Sequence, residues 1–372
     1  MSKARQLADN GLAAPNRNIL INGAMNVAQR ATSVTGLGAN AAPAYSTVDR
    51  FGVFSLGSSA GRYTMTQETI TDLPGFAKCM KFACTTADTS IGATELLVPT
   101  QIVEGQNLFR TAKGTSGALP WTISFYVKAN GAFNYVLDVY ENDSSRLASR
   151  MFATTTSWVR HEFTIPADTA NGTITNDNTA SLYLGIILHA GSNYTSGTMN
   201  QTTWADITNA NRAPGISSFY SSTDNTFFLT GFQLEVGEAA TPFEHKTFGQ
   251  DLIECQRYYT QETAASGSAY KRFGAGSWNV SSAGSVFIPL STPMRDSSPT
   301  LVSKAAANYL IYSANATDAC TALAINAESN NGTHNRLVAL TFSTSGGGVA
   351  GEALSLTGNN DTASYLALDA EL

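Results

Sequence analysis

Between residues 48 and 236 one pattern recurs, in which short runs rich in β-branched and aromatic residues are broken by Gly, Asn, Asp and Pro. The runs are VDRFGVFS, GRYTMTQET, AKCMKFACT, WTISFYVKA, FNYVLDVY, SWVRHEFTI, SLYLGIIL and TFFLTGFQLEV. In WTISFYVKA, Trp121, Ile123, Phe125 and Val127 alternate with Thr122, Ser124 and Lys128, the two-residue period of a half-buried strand. Many strands joined by turn-rich connections predict a two-sheet sandwich, specifically a jelly roll. Only 13% of the residues are charged. Water-facing helices normally carry Glu/Lys pairs, so long helical bundles and coiled-coil rods are not expected.

One segment departs from the pattern. In TFGQDLIECQRYYTQ at 247–261, Phe248, Leu252, Cys255 and Tyr259 are spaced to share one helical face, which is expected to be buried. Thr247 is placed to cap its start, with Asp251 in the first turn. A small-residue stretch, TAASGSA, follows, and beyond residue 270 strand-like runs resume in SVFIPLS, NYLIYS, ACTALAIN, RLVALTFS, EALSLTG and SYLALDAEL. The expected class is all-β: an N-terminal attachment segment (1–17), a jelly-roll-like β-sandwich (18–245), a single linking helix and linker (246–269), then a smaller C-terminal β domain (270–372). No fixed repeat is visible, which argues against a β-helix or propeller.

The 22 Lys and Arg against 28 Asp and Glu leave a net charge of -6, with no block of like charge. Phosphate neutralisation needs clustered cations, so no nucleic-acid partner is expected. The best apolar run, SLYLGIIL at 181–188, is far too short to span a bilayer, and MSKARQLADNGLAAPNRN has no apolar core of a secretory signal. Synthesis in a cytoplasm is therefore expected. Cys79, Cys84, Cys255 and Cys320 fit that compartment as free thiols, without zinc spacing and without disulfides.

Catalytic motifs fail on context. Gly57-Ser58-Ser59-Ala60-Gly61 matches a nucleophile elbow, but a strand-like run follows where a helix is required, so a turn is expected. The glycine run 346–351 likewise precedes a strand and reads as a flexible hairpin loop. His161, His189, His245 and His334 are dispersed and lack metal spacing. The carboxylate pairs Asp138 with Glu141 and Glu235 with Glu238 carry no identifying context for glycoside hydrolysis. NGTITNDNT at 171–179 offers oxygen ligands for a structural calcium, but it reads first as a polar loop, and no cofactor is expected. What remains is aromatic chemistry in polar loops. Tyr194 and Trp204 lie in GSNYTSGTMNQTTWAD at 191–206, where stacking rings beside amides suit sugar contact, and packing is the competing role. Asn330 and Asn331, in AESNNGTHN at 327–335, are the second candidate contact.

Specific strings add to this reading. KARQLAD, RNILINGAMNVAQRAT, VDRFGVF and TGFQLEVGEAATPFEHKTFGQDLIECQRYY together resemble a widespread family of bacteriophage virion proteins, tail-fibre or spike-like, often described as having carbohydrate-binding-like sandwiches. The resemblance covers residues 3 to about 262, and SVFIPLSTPMRDSSPT at 285–300 resembles the family's next strand. Ala31 stands where the family usually has Gly, Phe51 where Trp is common, and one extra residue separates PMR from PT. The resemblance implies a virion structural protein that assembles with other virion proteins, a homotrimer, host-facing, and without a catalytic set. Three functions compete: a tail-fibre or spike subunit binding a host surface polysaccharide, a purely architectural head-fibre, collar or baseplate component, and a depolymerase.

Overall fold

The computed structural model describes residues 16–264, 268–326 and 336–372, and it divides into one compact unit ending at Asp251 and a second, Leu252–Glu371. It is all-β, and the first unit is a jelly-roll-like sandwich of two antiparallel sheets. The six-stranded sheet runs in the order Ser33–Leu37, Arg62–Thr69, Lys78–Thr86, Thr226–Val236, Trp121–Ala129, Val159–Ile165. The larger sheet has seven strands in one path: Ala205–Asp206, Arg146–Leu147, Asn134–Glu141, Ala180–Ile187, Leu96–Glu104, Phe51–Leu56, Ala41–Tyr45. Two short strands, Arg150–Ala153 and His189–Ala190, complete its nine. From Leu96 to Val236 the long strands alternate between the sheets, so each connection crosses the sandwich.

The period-two reading is met in the core. Trp121, Ile123, Phe125 and Val127 are each at most 2% exposed, and the alternate position pairs them with Ile165, Phe163, His161 and Val159 of the neighbouring strand. A register shift between Thr230 and Gln233 lets Phe232 point inward as well. Gly231 makes the bulge possible, because its φ is +62° and a Cβ there would lie 2.8 Å from the Phe76 and Tyr126 rings.

The helix forms at Phe248–Gln256, shorter than expected. Thr247 caps it reciprocally: Gln250 N–H donates to Thr247 Oγ1 at 3.3 Å, and Thr247 N–H donates to Gln250 Oε1 at 2.9 Å. The expected buried face holds only in part. Cys255 is fully buried and Leu252 half-buried, but Phe248 is 60% exposed. Tyr259 is buried as the first residue of a strand, Tyr259–Thr263, which pairs with Tyr365–Asp369. Part of the expected linker is thus an edge strand of the second unit.

That unit has a three-stranded sheet, Tyr259–Thr263, Tyr365–Asp369 and Thr300–Ser303. Its seven-stranded sheet runs Thr317–Ala319, Tyr309–Ser313, Ala353–Gly358, Arg272–Val280, Ala283–Pro289, Leu337–Ser343, Ala322–Ile325. The glycine run is not a hairpin. It connects Leu337–Ser343 to Ala353–Gly358, which lie apart in the sheet, and crosses Trp278, where a Cβ on Gly348 would meet the indole at 2.2 Å.

Candidate functional site

Alternation along a strand gives each sheet an outer face as well as a core face. In SLYLGIIL, Leu182, Leu184 and Ile186 enter the core, which turns Tyr183 outward. Tyr183 pairs directly with Tyr140 on Asn134–Glu141, and their rings sit 5.7 Å apart at 31°. On the other side the Phe54 ring lies 5.9 Å from Tyr183. All three rings are half-buried. The floor beneath them is small: Gly185 pairs with Thr100, and a Cβ on Gly185 would lie 2.5 Å from Thr100 Oγ1. Glycine there keeps the floor low, and the rings lie over it, leaving Thr100 2% exposed.

The polar loop containing Tyr194 folds back to wall this face. Tyr194, Met199 and Ile216 pack against Leu96, Val98, Val136 and Ile187, and Tyr194 lies in a single helical turn, Ser192–Thr195. Arg212 links the wall to the row, its guanidinium 5.7 Å from the Tyr194 ring and 6.0 Å from the Tyr140 ring. It is neutralised by Asp138, which also accepts from Ser149 Oγ at 3.4 Å. Tyr194 therefore sits at the candidate face. The strand aromatics Phe54, Tyr140 and Tyr183 were missed in the sequence, although each occupies the outward phase of a run whose inward phase enters the core at Phe51 and Val53, at Tyr135, Leu137 and Val139, or at Leu182, Leu184 and Ile186.

Trp204 does not belong to this face. It is 8% exposed, edge-on to Trp121 at 5.3 Å, and its indole N–H donates to the Pro166 carbonyl at 2.9 Å. The Lys113 ammonium lies 4.4 Å from the ring centre. Both sides of the indole are occupied, because the loop turns it in to close the sandwich edge, and it has no free face for a sugar. An open cleft of about 350 Å³ lies nearby, lined by Pro120, Thr164, Pro166, Ala167, Thr202 and Glu238, and it presents no aromatic ring. Asn330, Asn331 and His334, like residues 1–15 of the attachment segment, lie outside the described residues.

Part of the 171–179 loop packs around Lys113. The Lys113 Nζ is 3.3–3.4 Å from Glu141 Oε2, Asp168 Oδ2 and the carbonyls of Asn171 and Gly172. Two carbonyls of the 171–179 loop thus face an ammonium, while the loop's Asp177 accepts from Thr179. Burial pushes the Lys113 amine down and the Glu141 carboxyl up. Asp168 stays below the usual carboxylate range, because Lys113 and Arg146 together outweigh its own desolvation. Among the described residues no three His, Cys, Asp or Glu side chains gather as a metal site.

The remaining motifs resolve into structure. Ser59 donates to Asp88 Oδ2 at 2.8 Å within a turn whose Gly57 and Ser58 have φ of +84° and +55°. Asp138 points outward while Glu141 is fully buried beside Lys113; Glu235 is buried against Thr241, whereas Glu238 is exposed. Neither carboxylate pair converges. His189 is fully buried, with Nε2 2.9 Å from Glu95 Oε2 and Nδ1 2.8 Å from Ser218 Oγ.

The strings that carried the resemblance meet inside the sandwich. Asn18 Oδ1 accepts the N–H groups of Leu20 and Leu234, and its amide donates to the Phe232 carbonyl. Ile21 exchanges two 2.8 Å hydrogen bonds with the Gln101 amide, and Arg50 donates to the Ile102 carbonyl at 2.7 Å. Segment 18–23 therefore bonds to the six-stranded sheet at Leu234 and to the larger sheet at Gln101.

No protein-family model and no curated protein matches this sequence. Solved structures match in part. The enzymatically active domain of bacteriophage CBA120 tailspike protein 4 aligns over 60% of this chain and 22% of its own, at 7% identity and a TM-score of 0.30. The chain thus spans less than a quarter of that tailspike. The CBM22-1 xylan-binding domain of Paenibacillus barcinonensis Xyn10C covers 60% of this chain and 96% of itself, at 10% identity and a TM-score of 0.28. A family 11 carbohydrate-binding module of a Clostridium thermocellum cellulase covers 54% and 95%, at 9% identity and a TM-score of 0.27.

Proposed function

We propose that the sandwich binds a host cell-surface glycan on the outer face of its nine-stranded sheet, as the non-catalytic part of a bacteriophage tail-fibre or spike subunit. The observation that carries the reading is the row Phe54, Tyr183 and Tyr140, lying over the Gly185–Thr100 floor and walled by Tyr194 and Arg212. A pyranose lays its C–H face on a ring and bonds its hydroxyls at the rim, and half-exposed tyrosines supply both surfaces.

The virion role is supported by the strings that resemble phage fibre proteins. The non-catalytic reading is supported by the fate of the carboxylates, since Asp138 is neutralised by Arg212 and Glu141 by Lys113. Three copies in a homotrimer would add avidity to weak individual contacts. The test is adsorption of the labelled full chain to host cells, beside an assay for newly released reducing ends. Adsorption without reducing ends is expected. Failure of the wild-type protein to adsorb would leave the architectural head-fibre, collar or baseplate reading, and released ends would make the protein a depolymerase.

A further inference from the structure

Lys113 is buried together with both of its carboxylates. The side chains of Lys113, Glu141 and Asp168 are 2%, 0% and 6% exposed, and the Trp204 ring covers the amine at 4.4 Å. Nζ stands 3.4 Å from Glu141 Oε2 and 3.3 Å from Asp168 Oδ2, the separation of groups held ready to react. The two carboxylates are held differently. Asp168 also accepts Arg146 Nε–H at 3.0 Å and Asn171 N–H at 3.2 Å, which keeps it an anion and so a base. Among the described residues Glu141 has Lys113 as its one cation, and burial favours its neutral acid form. Its Oε1 accepts the Ser144 N–H at 3.1 Å. Gly172 makes the approach possible, because a Cβ there would lie 1.8 Å from Nζ and 3.0 Å from Glu141 Oε2.

We propose that Lys113 and Glu141 condense into an intramolecular isopeptide bond, with Asp168 as the base. The ammonium passes a proton to Asp168 Oδ2, and the freed electron pair attacks Glu141 Cδ to form the C–N bond. Negative charge collects on Oε1, where the Ser144 N–H already donates. Two protons from the nitrogen reach Oε2 through Asp168, the C–Oε2 bond breaks, and water leaves. The three hydrogens of the ammonium thus end as one amide N–H and two in the water, so the step needs no co-reactant. Free water would reverse it, but the groups are enclosed, and fixed partners reach effective concentrations of about 10⁵ M or more. The chain folds with the ion pair and the amide matures from it, so newly folded protein carries the cation and stored protein the bond. The link spans 28 positions and ties the end of Asn134–Glu141 to the segment ahead of Trp121–Ala129. The inference concerns one edge of the sandwich and stands apart from the glycan reading.

The experiment is intact-mass spectrometry of the full chain after about a week at about 37 °C in native buffer, followed by tryptic mapping. The incubated wild type is expected to be lighter by one water, with a branched peptide joining Lys113 to Glu141 and no cleavage after Lys113. Glu141→Ala should keep its full mass, and Asp168→Asn should lose water at least tenfold more slowly. An incubated wild type at full mass overturns the proposal, as does loss of water without the branched peptide or a branch at Asp168 in place of Glu141. Those outcomes are read on the wild type alone, so they decide the matter even if the variants fail to fold. A folded Asp168→Asn chain that matures at the wild-type rate overturns the role given to Asp168.

Discussion

The Glu244 carboxylate accepts the backbone N–H of Asn18 at 2.7 Å across 226 positions of sequence, and its other oxygen accepts Asn16 N–H at 2.8 Å. Together with the Asn18 side chain, this bond closes the sandwich at one edge. The string that begins at Arg17 and the one that carries Glu244 are therefore two halves of one clasp.

Removing the clasp should unfold the sandwich early. Asn18→Ala leaves the buried Leu20 and Leu234 N–H groups and the Phe232 carbonyl without that partner, costing about 2–4 kcal/mol on the scale of unsatisfied buried groups. Gly23→Ala should be at least as damaging, since a Cβ there would lie 2.1 Å from the Phe232 carbonyl oxygen. Urea denaturation of each variant checks both values.

Much of this was legible in the sequence, for a physical reason. A strand with one face in the core writes its period into the residues, so Trp121, Ile123, Phe125 and Val127 could be assigned inward from their alternation alone. Thr247 carries a local capping signal that needs no tertiary information, to which the structure adds the reciprocal bond from Gln250. The burial of Tyr259 was expected, but the helix end at Gln256 and the strand conformation of Tyr259 were not legible, because pairing with Tyr365–Asp369, about a hundred residues away, decides them. Trp204 and Tyr194 share a polar loop, and only the fold determines which ring turns inward. The row of Phe54, Tyr183 and Tyr140 comes from three strands, and their adjacency is a matter of sheet order.

Lys113 should behave as an internal cation. Lys113→Met leaves Glu141 and Asp168 buried without its charge, and a loss of about 3–5 kcal/mol is expected for half of a buried pair. Adding Glu141→Gln should recover part of that loss. Equilibrium unfolding of the single and double variants measures the coupling.

Burial holds the His189 imidazole below its ordinary range, despite Glu95 and Asp88 nearby and with the Tyr220 ring against it. Its folded-state pKa is lower than the unfolded value of about 6.5, so the unfolded chain takes up the proton first. This contribution is complete above about pH 6.5 and falls as the pH drops toward the folded value, by up to ~1.4 kcal/mol per pH unit. Thermal melts between about pH 7 and 5 should show a decline that His189→Gln reduces.

The thiols should be silent in the native state. Burial pushes Cys79 and Cys320 up to about 12, and Cys84 and Cys255 are also enclosed. A thiol reagent near pH 8 should label none of the four until denaturant is added, and then all of them. Rapid native labelling of Cys255 would contradict its burial.

The central claim is that glycan contact runs through the tyrosine row. The most direct measurement is the affinity of the full chain for the host surface polysaccharide, compared between wild type and a Tyr140→Ala, Tyr183→Ala double variant. Both rings lie on the outer face and outside the core, so the variant should fold and melt within a few degrees of wild type. A loss of at least about a hundredfold in affinity, near 2.7 kcal/mol, is predicted with the fold intact. Wild-type affinity in the folded double variant would contradict the account.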